Sequence, residues 1–265
     1  MPDLLDVDAV TVRFGGLVAL ADVSASVSAG EIVGVIGPNG AGKTTLFNVI
    51  CGFVRPNAGA LRWRGARLRR HRPHQLASLG ISRTLQSLGL FANQSVLDNV
   101  VVGADPTARA WFASGLLGLP FSDKDERRLR DRSLAILTDL GIADVADRLP
   151  GQLPYGVQKR VALARALVSE PALLLLDEPA SGLSTTEMHE IAELVRSMRD
   201  RTAVLLVEHH MDLVMGVCDR IVVLDFGRCI ATGSPAEVRD DPKVLQAYLG
   251  ADVDESLAED DDAGA

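Results

Sequence analysis

Residues 31–50 read EIVGVIGPNGAGKTTLFNVI. The apolar run Ile32, Val33, Val35 and Ile36 has the composition of a buried strand, and Thr45-Leu46-Phe47-Asn48-Val49-Ile50 reads as helix. Between them lies Gly37-Pro38-Asn39-Gly40-Ala41-Gly42-Lys43-Thr44, with the spacing G-x-x-x-x-G-K-[ST]. Strand, glycine-rich turn and helix in that order are the context a phosphate-binding P-loop requires. Glycine lets the backbone bend so that successive N–H groups point inward at an anion. A helix starting there adds partial positive charge. Lys43 is placed to neutralise the outer phosphate oxygens, and the Thr44 hydroxyl to ligate Mg²⁺. Gly37, Pro38, Asn39, Gly40, Ala41, Gly42, Lys43, Thr44 and Thr45 are the expected nucleotide contacts. A chance glycine turn would not carry both fixed glycines, the lysine and the threonine between a strand and a helix.

Working outward, 265 residues suit one large domain, or one domain carrying an inserted subdomain, and 47% hydrophobic residues supply a sizeable core. The longest apolar run, Ala172 to Leu176, ends at Asp177, far short of the roughly 18 to 20 residues that span a bilayer. Asp3, Asp6 and Asp8 make an acidic N-terminus, unlike a secretory signal. A cytoplasmic chain with peripheral membrane contact is the expectation. Cys51, Cys218 and Cys229 have neither paired nor metal-type spacing and read as small, mostly buried residues in a reducing compartment. The five histidines are too dispersed for a metal site, apart from the neighbours His209 and His210. The net charge of −8 sits largely beyond Gly250, where seven acids and no base leave the body near −1. That tail, residues 251–265, reads as disordered. Six arginines between Leu61 and Arg72 form a basic stretch without an aromatic platform. It reads as a solvated edge or a contact for anionic lipid head groups rather than a nucleic-acid surface.

In chain order, Leu4 to Val12 and Ala21 to Val27 alternate as strands around a Phe14-Gly15-Gly16 turn, and Leu61 to Trp63 continues this antiparallel layer. Phe14 either packs in a core or offers a ring face to a base. A short strand surrounds Ile81. The pattern from Ser95 to about Leu149 is helical, so residues 88–160 read as an inserted helical subdomain. Leu153-Pro154-Tyr155-Gly156-Val157-Gln158 opens a further helix. Leu173 to Leu176 is a buried parallel-type strand ending in Asp177 and Glu178. A helix from Thr185 to Arg201 leads to the strand Ala203 to Val207, which ends in Glu208-His209-His210. A strand from Arg220, a hairpin and a closing helix from Asp241 to Leu249 follow.

Ligands of open α/β sheets sit at the carboxyl ends of the strands, where the P-loop, Asp177-Glu178 and His209 are all expected to converge. A carboxylate ending a buried strand downstream of a P-loop suits the Mg²⁺ that bridges the β- and γ-oxygens, so Asp177 is the candidate ligand. Glu178, one residue on, is the candidate to orient or deprotonate an attacking water.

These motifs together resemble the ATP-binding subunit of an ABC transporter, over Leu4 to Leu249. Within that family the closest resemblance is to the ATPases of branched-chain amino acid importers. It is carried by Arg13 to Leu20, Arg83-Thr84-Leu85-Gln86, the Tyr155-Gly156 of the signature, Glu208 to Met215, and Ala247-Tyr248-Leu249-Gly250. The resemblance implies an α/β P-loop NTPase core with an antiparallel β subdomain and an inserted helical subdomain, spanning residues 4–250. It implies that Phe14 stacks on adenine, and that Gln86 touches Mg²⁺ and water while sensing the transmembrane partner. It also makes Glu178 the catalytic carboxylate and His209 a switch on the γ-phosphate. Pro154, Tyr155 and Gly156 would close over ATP held by a second ATPase subunit, of the same or a paralogous chain. Two chains would thus sandwich two ATP molecules. Permease subunits and, indirectly, a solute-binding protein are the further partners implied, at the cytoplasmic membrane face, with ATP and Mg²⁺ as cofactors and no nucleic acid.

The chain departs from the family pattern at four positions. Pro154 replaces the usual Ser and Val157 the usual Gln, which removes one donor to the opposing phosphate and predicts a weakened clamp. Ser184 stands where Asp or Asn is common, and His210 where Asp is frequent; the latter reads as incidental. Urea or short amides are the alternative solutes. A soluble ABC-type ATPase acting on nucleic acid or ribosomes would call for tandem cassettes, a coiled coil or a basic surface. A P-loop phosphotransferase would call for an acceptor site. The sequence offers none of these.

Overall fold

The computed structural model describes residues 3–84, 88–104 and 120–248. Gln86 and the tail at 251–265 lie outside them. The chain divides into two compact units, one made of residues 1–73 and 203–265, the other of residues 74–202.

The first unit contains two sets of strands. β1 (Leu5–Phe14) pairs antiparallel with β2 (Leu17–Val27) and with β4 (Ala58–Trp63), and β5 (Ala66–Arg67) closes that layer in the order β2-β1-β4-β5. The Leu5↔Val27 and Leu5↔Trp63 registers bring these apolar residues to one buried face. The second set is built on β3 (Ile32–Ile36), all five residues of which are buried. Parallel strands covered on both faces are continuously apolar rather than alternating, and β3 follows that rule. It pairs parallel with β8 (Ala203–Val207) and with β9 (Arg220–Asp225), and β10 (Arg228–Gly233) adds antiparallel to β9. Two polar clasps fix this register. Asp219 accepts from the Ile32 N–H at 2.9 Å while its own N–H donates to the Ile32 carbonyl. Arg220 forks onto both carboxylate oxygens of Glu31 at 2.8 and 3.1 Å and donates to the Ser26 carbonyl. A half-buried bidentate pair of this kind holds geometry better than a single ion contact. Helices α1 (Lys43–Ile50), α7 (Met211–Val217), α8 (Pro235–Arg239) and a last short helix at 242–248, here α9, complete the unit.

In the second unit β6 (Ile81–Arg83) pairs parallel with β7 (Leu173–Asp177), with Ile81 opposite Leu173. The short α2 (Leu76–Leu79) precedes β6. The expected helical stretch contains α3 (Val96–Ala104) and α4 (Pro120–Asp139). The expected helix after Leu153 is α5 (Tyr155–Leu167). Helix α6 (Thr185–Ser197) ends four residues before the expected Arg201, because Met198, Arg199, Arg201 and Thr202 bond back in tight turns instead. Helix α3 crosses α5 at Gly103, where a Cβ would lie 2.0 Å from the Arg165 carbonyl oxygen; only glycine permits that approach. The turn before α3 is pinned by Asn99, fully buried, which donates to the carbonyls of Phe91, Gln94 and Ser95 and accepts from the Phe91 N–H. Buried amides with all their partners supplied rigidify a turn rather than weaken it.

Candidate nucleotide site

In the first unit, β3 delivers the chain directly into the glycine turn. Gly37, Gly40 and Gly42 have φ of 149°, 76° and 104°, in the left-handed range that a side chain disfavours. Two of them are also locked by space: a Cβ on Gly37 would meet the Leu224 carbonyl oxygen at 2.0 Å, and one on Gly42 the Ala19 carbonyl oxygen at 2.8 Å. The turn is thus glycine for conformation and for packing together. Gly42 caps α1 without any side-chain bond, so the helix opens with backbone N–H groups facing the turn, a ready anion site. Lys43 folds onto the loop, donating to the carbonyls of Gly37 at 2.7 Å and Pro38 at 2.9 Å. A phosphate would compete for that ammonium. Thr44 and Asn39 are exposed, whereas Ala41 is buried and its N–H bonds the Pro38 carbonyl.

Phe14, at the end of β1, is 51% exposed, which removes the core reading and leaves its ring face available. Glu208 follows β8 and is fully buried. Its Oε2 accepts from the His209 N–H at 2.8 Å, the His210 N–H at 3.1 Å and the His210 ring Nδ1 at 2.9 Å. His209 itself is exposed and its ring packs 4.1 Å from that of His210. His210 is therefore no incidental residue: it supplies a donor to a buried carboxylate. No local pattern announces this, since an acid after an apolar run looks like a strand leaving the core.

In the second unit, Asp177 ends β7 and is buried, with Oδ2 2.7 Å from an Arg83 guanidinium nitrogen. Arg83 ends β6, the strand paired with β7, so the ion pair follows from the parallel register. Glu178 has φ +49°, a left-handed backbone that is uncommon for a residue other than glycine. Its carbonyl and that of Pro179 accept from the Lys159 ammonium at 3.2 and 2.8 Å. Lys159 is buried on α5 and lies 5.4 Å from the Tyr155 ring centroid. Pro154 is the N-cap of α5, extended at φ −53° and ψ 150°, and gives the helix no side-chain cap. Pro154 and Tyr155 are exposed and Gly156 is buried. A Cβ at Gly156 would meet Oε1 of Glu187 at 2.4 Å. Glu187 belongs to the capping box that Ser184 forms at the start of α6, and the Ser184 hydroxyl and N–H hold its carboxyl below the usual range. Ser184 thus does a helix-capping task that Asp or Asn would also do.

The first unit carries a phosphate cradle, an exposed aromatic and a histidine at a strand end. The second carries an acidic pair at a strand end and a glycine-opened helix. Together these define a P-loop ATP-binding cassette.

The comparisons with known proteins give that class its family. The profile described as ABC transporter matches residues 20–181, and that described as branched-chain amino acid ATP-binding cassette transporter matches residues 228–254. The chain is 41% identical, over 93% of its length and 98% of the relative's, to the high-affinity branched-chain amino acid transport ATP-binding protein LivG of Salmonella typhimurium. It is 38% identical, with the same coverage, to BraF of Pseudomonas aeruginosa, which bears the same description. Its fold superposes with a TM-score of 0.82 and 30% identity, covering 94% of this chain and all of the other, on the ADP conformation of MJ1267, an ATP-binding cassette of an ABC transporter. The chain belongs to the ABC transporter family as an ATP-hydrolysing cassette subunit. Among the described residues no helix is long and apolar enough to cross a membrane.

Proposed function

We propose that this cassette powers import of branched-chain amino acids from the cytoplasmic face of a membrane, paired with a second cassette and seated on permease subunits that a solute-binding protein feeds. The observation that carries the mechanism is the Lys159 bridge. The helix opened by Pro154, Tyr155 and Gly156 holds, through Lys159, the very carbonyls that follow the Asp177-Glu178 acids. Movement of that helix on meeting a partner's nucleotide is thereby transmitted to the acidic turn.

ATP binds with its phosphates in the Gly37–Thr45 turn and its adenine on Phe14. Lys43 exchanges the Gly37 and Pro38 carbonyls for phosphate oxygen. The donor chemistry of the Thr44 hydroxyl and the Asp177 carboxylate fits Mg²⁺, a hard cation that takes oxygen ligands. Gln86 is the third candidate ligand. Mg²⁺ when bound supplies charge neutralisation at the β- and γ-oxygens. Glu178, held in its strained turn, orients the attacking water, and His209 contacts the γ-phosphate. The partner chain's Pro154, Tyr155 and Gly156 cover the nucleotide, so ATP stabilises the paired state and hydrolysis releases it. The inserted helical subdomain proposed for residues 88–160, of which 88–104 and 120–160 are described, is the part assigned to meet the permease.

A Glu178→Gln variant tests the motor: with ATP it is expected to dimerise in size-exclusion chromatography and to lose at least about 99% of turnover, a loss in line with removing a general base. A variant that stays monomeric with ATP, alone and with its permease, defeats this reading. For the solute, disruption of the gene is expected to abolish high-affinity uptake of radiolabelled leucine and leave urea uptake intact. The opposite pattern would assign the short-amide alternative.

A further inference from the structure

We infer that Glu208, His209 and His210 form a binding site for a transition-metal dication of the Zn²⁺ type, and that its occupation arrests ATP hydrolysis. The inhibitory half rests on the reading of His209 as the γ-phosphate contact; the binding half does not.

The three side chains each present one donor atom, and these atoms all lie within 4.8 Å of one another. Glu208 Oε2 is 2.9 Å from His210 Nδ1 and 3.6 Å from His209 Nδ1. A tetrahedral ion with bonds of about 2.0–2.1 Å separates its ligands by about 3.3–3.4 Å, so the two observed edges bracket what the ion needs. Two imidazoles and a carboxylate form a ligand set that catalytic-type zinc sites use, with the fourth position open. The carboxylate is already immobilised: two backbone N–H groups hold its Oε2 at the end of β8. Its desolvation is met by folding and adds nothing to the cost of binding an ion. The two rings are 52% and 31% exposed and face solvent, while the carboxylate they share is fully buried.

Metal would replace the contact between the His210 ring nitrogen and Glu208 Oε2. Nitrogen donors also select against the Mg²⁺ that accompanies ATP, since a small hard cation keeps oxygen ligands and water. The site therefore discriminates between the ion hydrolysis requires and the ion that would stop it. An occupied site ties the His209 ring to Glu208 and His210 and withdraws it from the nucleotide.

The test uses the full chain without nucleotide, in a Cys229→Ser background because Cys229 is an exposed thiol that would bind zinc independently. Zn²⁺ is titrated against a chromophoric chelator, and Co²⁺ is followed by its visible absorption. One ion per chain with four-coordinate Co²⁺ bands is expected at pH 7.5. His210→Asn keeps an N–H donor for Glu208 and removes the ring nitrogen; it is expected to weaken Zn²⁺ binding at least about tenfold. Equal affinity in His210→Asn, or no four-coordinate Co²⁺ spectrum in the parent, overturns the site; the Co²⁺ spectrum decides alone if His210→Asn does not fold. In a hydrolysis assay with excess Mg²⁺-ATP and buffered free Zn²⁺, the parent is expected to be inhibited and His210→Asn spared. Inhibition of both alike overturns the switch. Stoichiometric Zn²⁺ binding with undiminished hydrolysis keeps the site and instead defeats the γ-phosphate role of His209.

Discussion

Pro154 shows how a single residue sets the strength of the clamp. As N-cap of α5 it has extended backbone angles that serine adopts equally well, but it offers no hydroxyl to the first turn. Serine there would accept from the N–H two or three residues on, adding about 1 kcal/mol to helix stability. In the paired state its hydroxyl would also donate to the partner's phosphate, a charge-assisted bond of about 1.5 kcal/mol or more. Pro154→Ser is therefore expected to raise kcat/KM for ATP about tenfold and to lower the concentration at which Glu178→Gln dimerises. Unchanged turnover and dimerisation would show that Gly156 and the helix terminus alone make the clamp. At this scale the sequence was legible where spacing itself encodes chemistry. The glycines at 37, 40 and 42 declared the turn because their φ values disfavour a side chain, and Asp177 declared itself by ending four leucines. Phe14 remained open until its exposure was known, since an aromatic beside a turn serves a core as readily as a ligand.

Between elements, the Lys159 bridge is what sequence reading missed. A lysine among Gln158 and Arg160 early in a helix looks solvated, and only the approach of α5 to the end of β7 shows that it is buried with two carbonyl acceptors. Arg83 was similarly opaque: its partner lies on a strand 94 residues away, and nothing local to either residue announces the pair. Strand identities, by contrast, were plain. β3 and β8 are apolar runs of five residues and β7 is four leucines closed by Asp177, each strand buried throughout, as parallel strands between covering layers must be. Lys159→Met keeps most of the side-chain volume but leaves the carbonyls of Glu178 and Pro179 short of a donor, each costing about 1–3 kcal/mol. Because the P-loop belongs to the other unit, binding of a fluorescent ATP analogue is expected to hold within about twofold while kcat falls at least about tenfold. A parallel loss of nucleotide affinity would mean that Lys159 supports the fold at large rather than the Glu178 turn.

Across the whole molecule, stability carries a signature at alkaline pH. Burial, helped by the charge of Asp219, pushes the Cys218 thiol from 9.0 up to about 12, and burial pushes the Tyr248 phenol from 10.0 to about 12. Both groups keep their proton in the folded chain at pH values where the unfolded chain has lost it. Unfolding then releases protons, so stability is fully present below about pH 9 and falls as pH rises toward 12. For Cys218 a shift of that size corresponds to a few kcal/mol at most. The thiol is buried because Gly34 leaves room for it: a Cβ there would sit 2.8 Å from its Sγ, so strand β3 and the residue capping α7 are packed as close as glycine allows. The strand that positions the P-loop is thus the one an ionised Cys218 would press upon. Denaturant unfolding at pH 8, 9.5 and 11 is expected to show a steep loss for the natural chain and a shallower one for Cys218→Ser, whatever their offset at pH 8. Tyr248→Phe is expected to flatten the limb further above pH 10. Identical slopes in the natural chain and Cys218→Ser would place the retained proton elsewhere. A slope that instead rises with pH would contradict the burial of both groups.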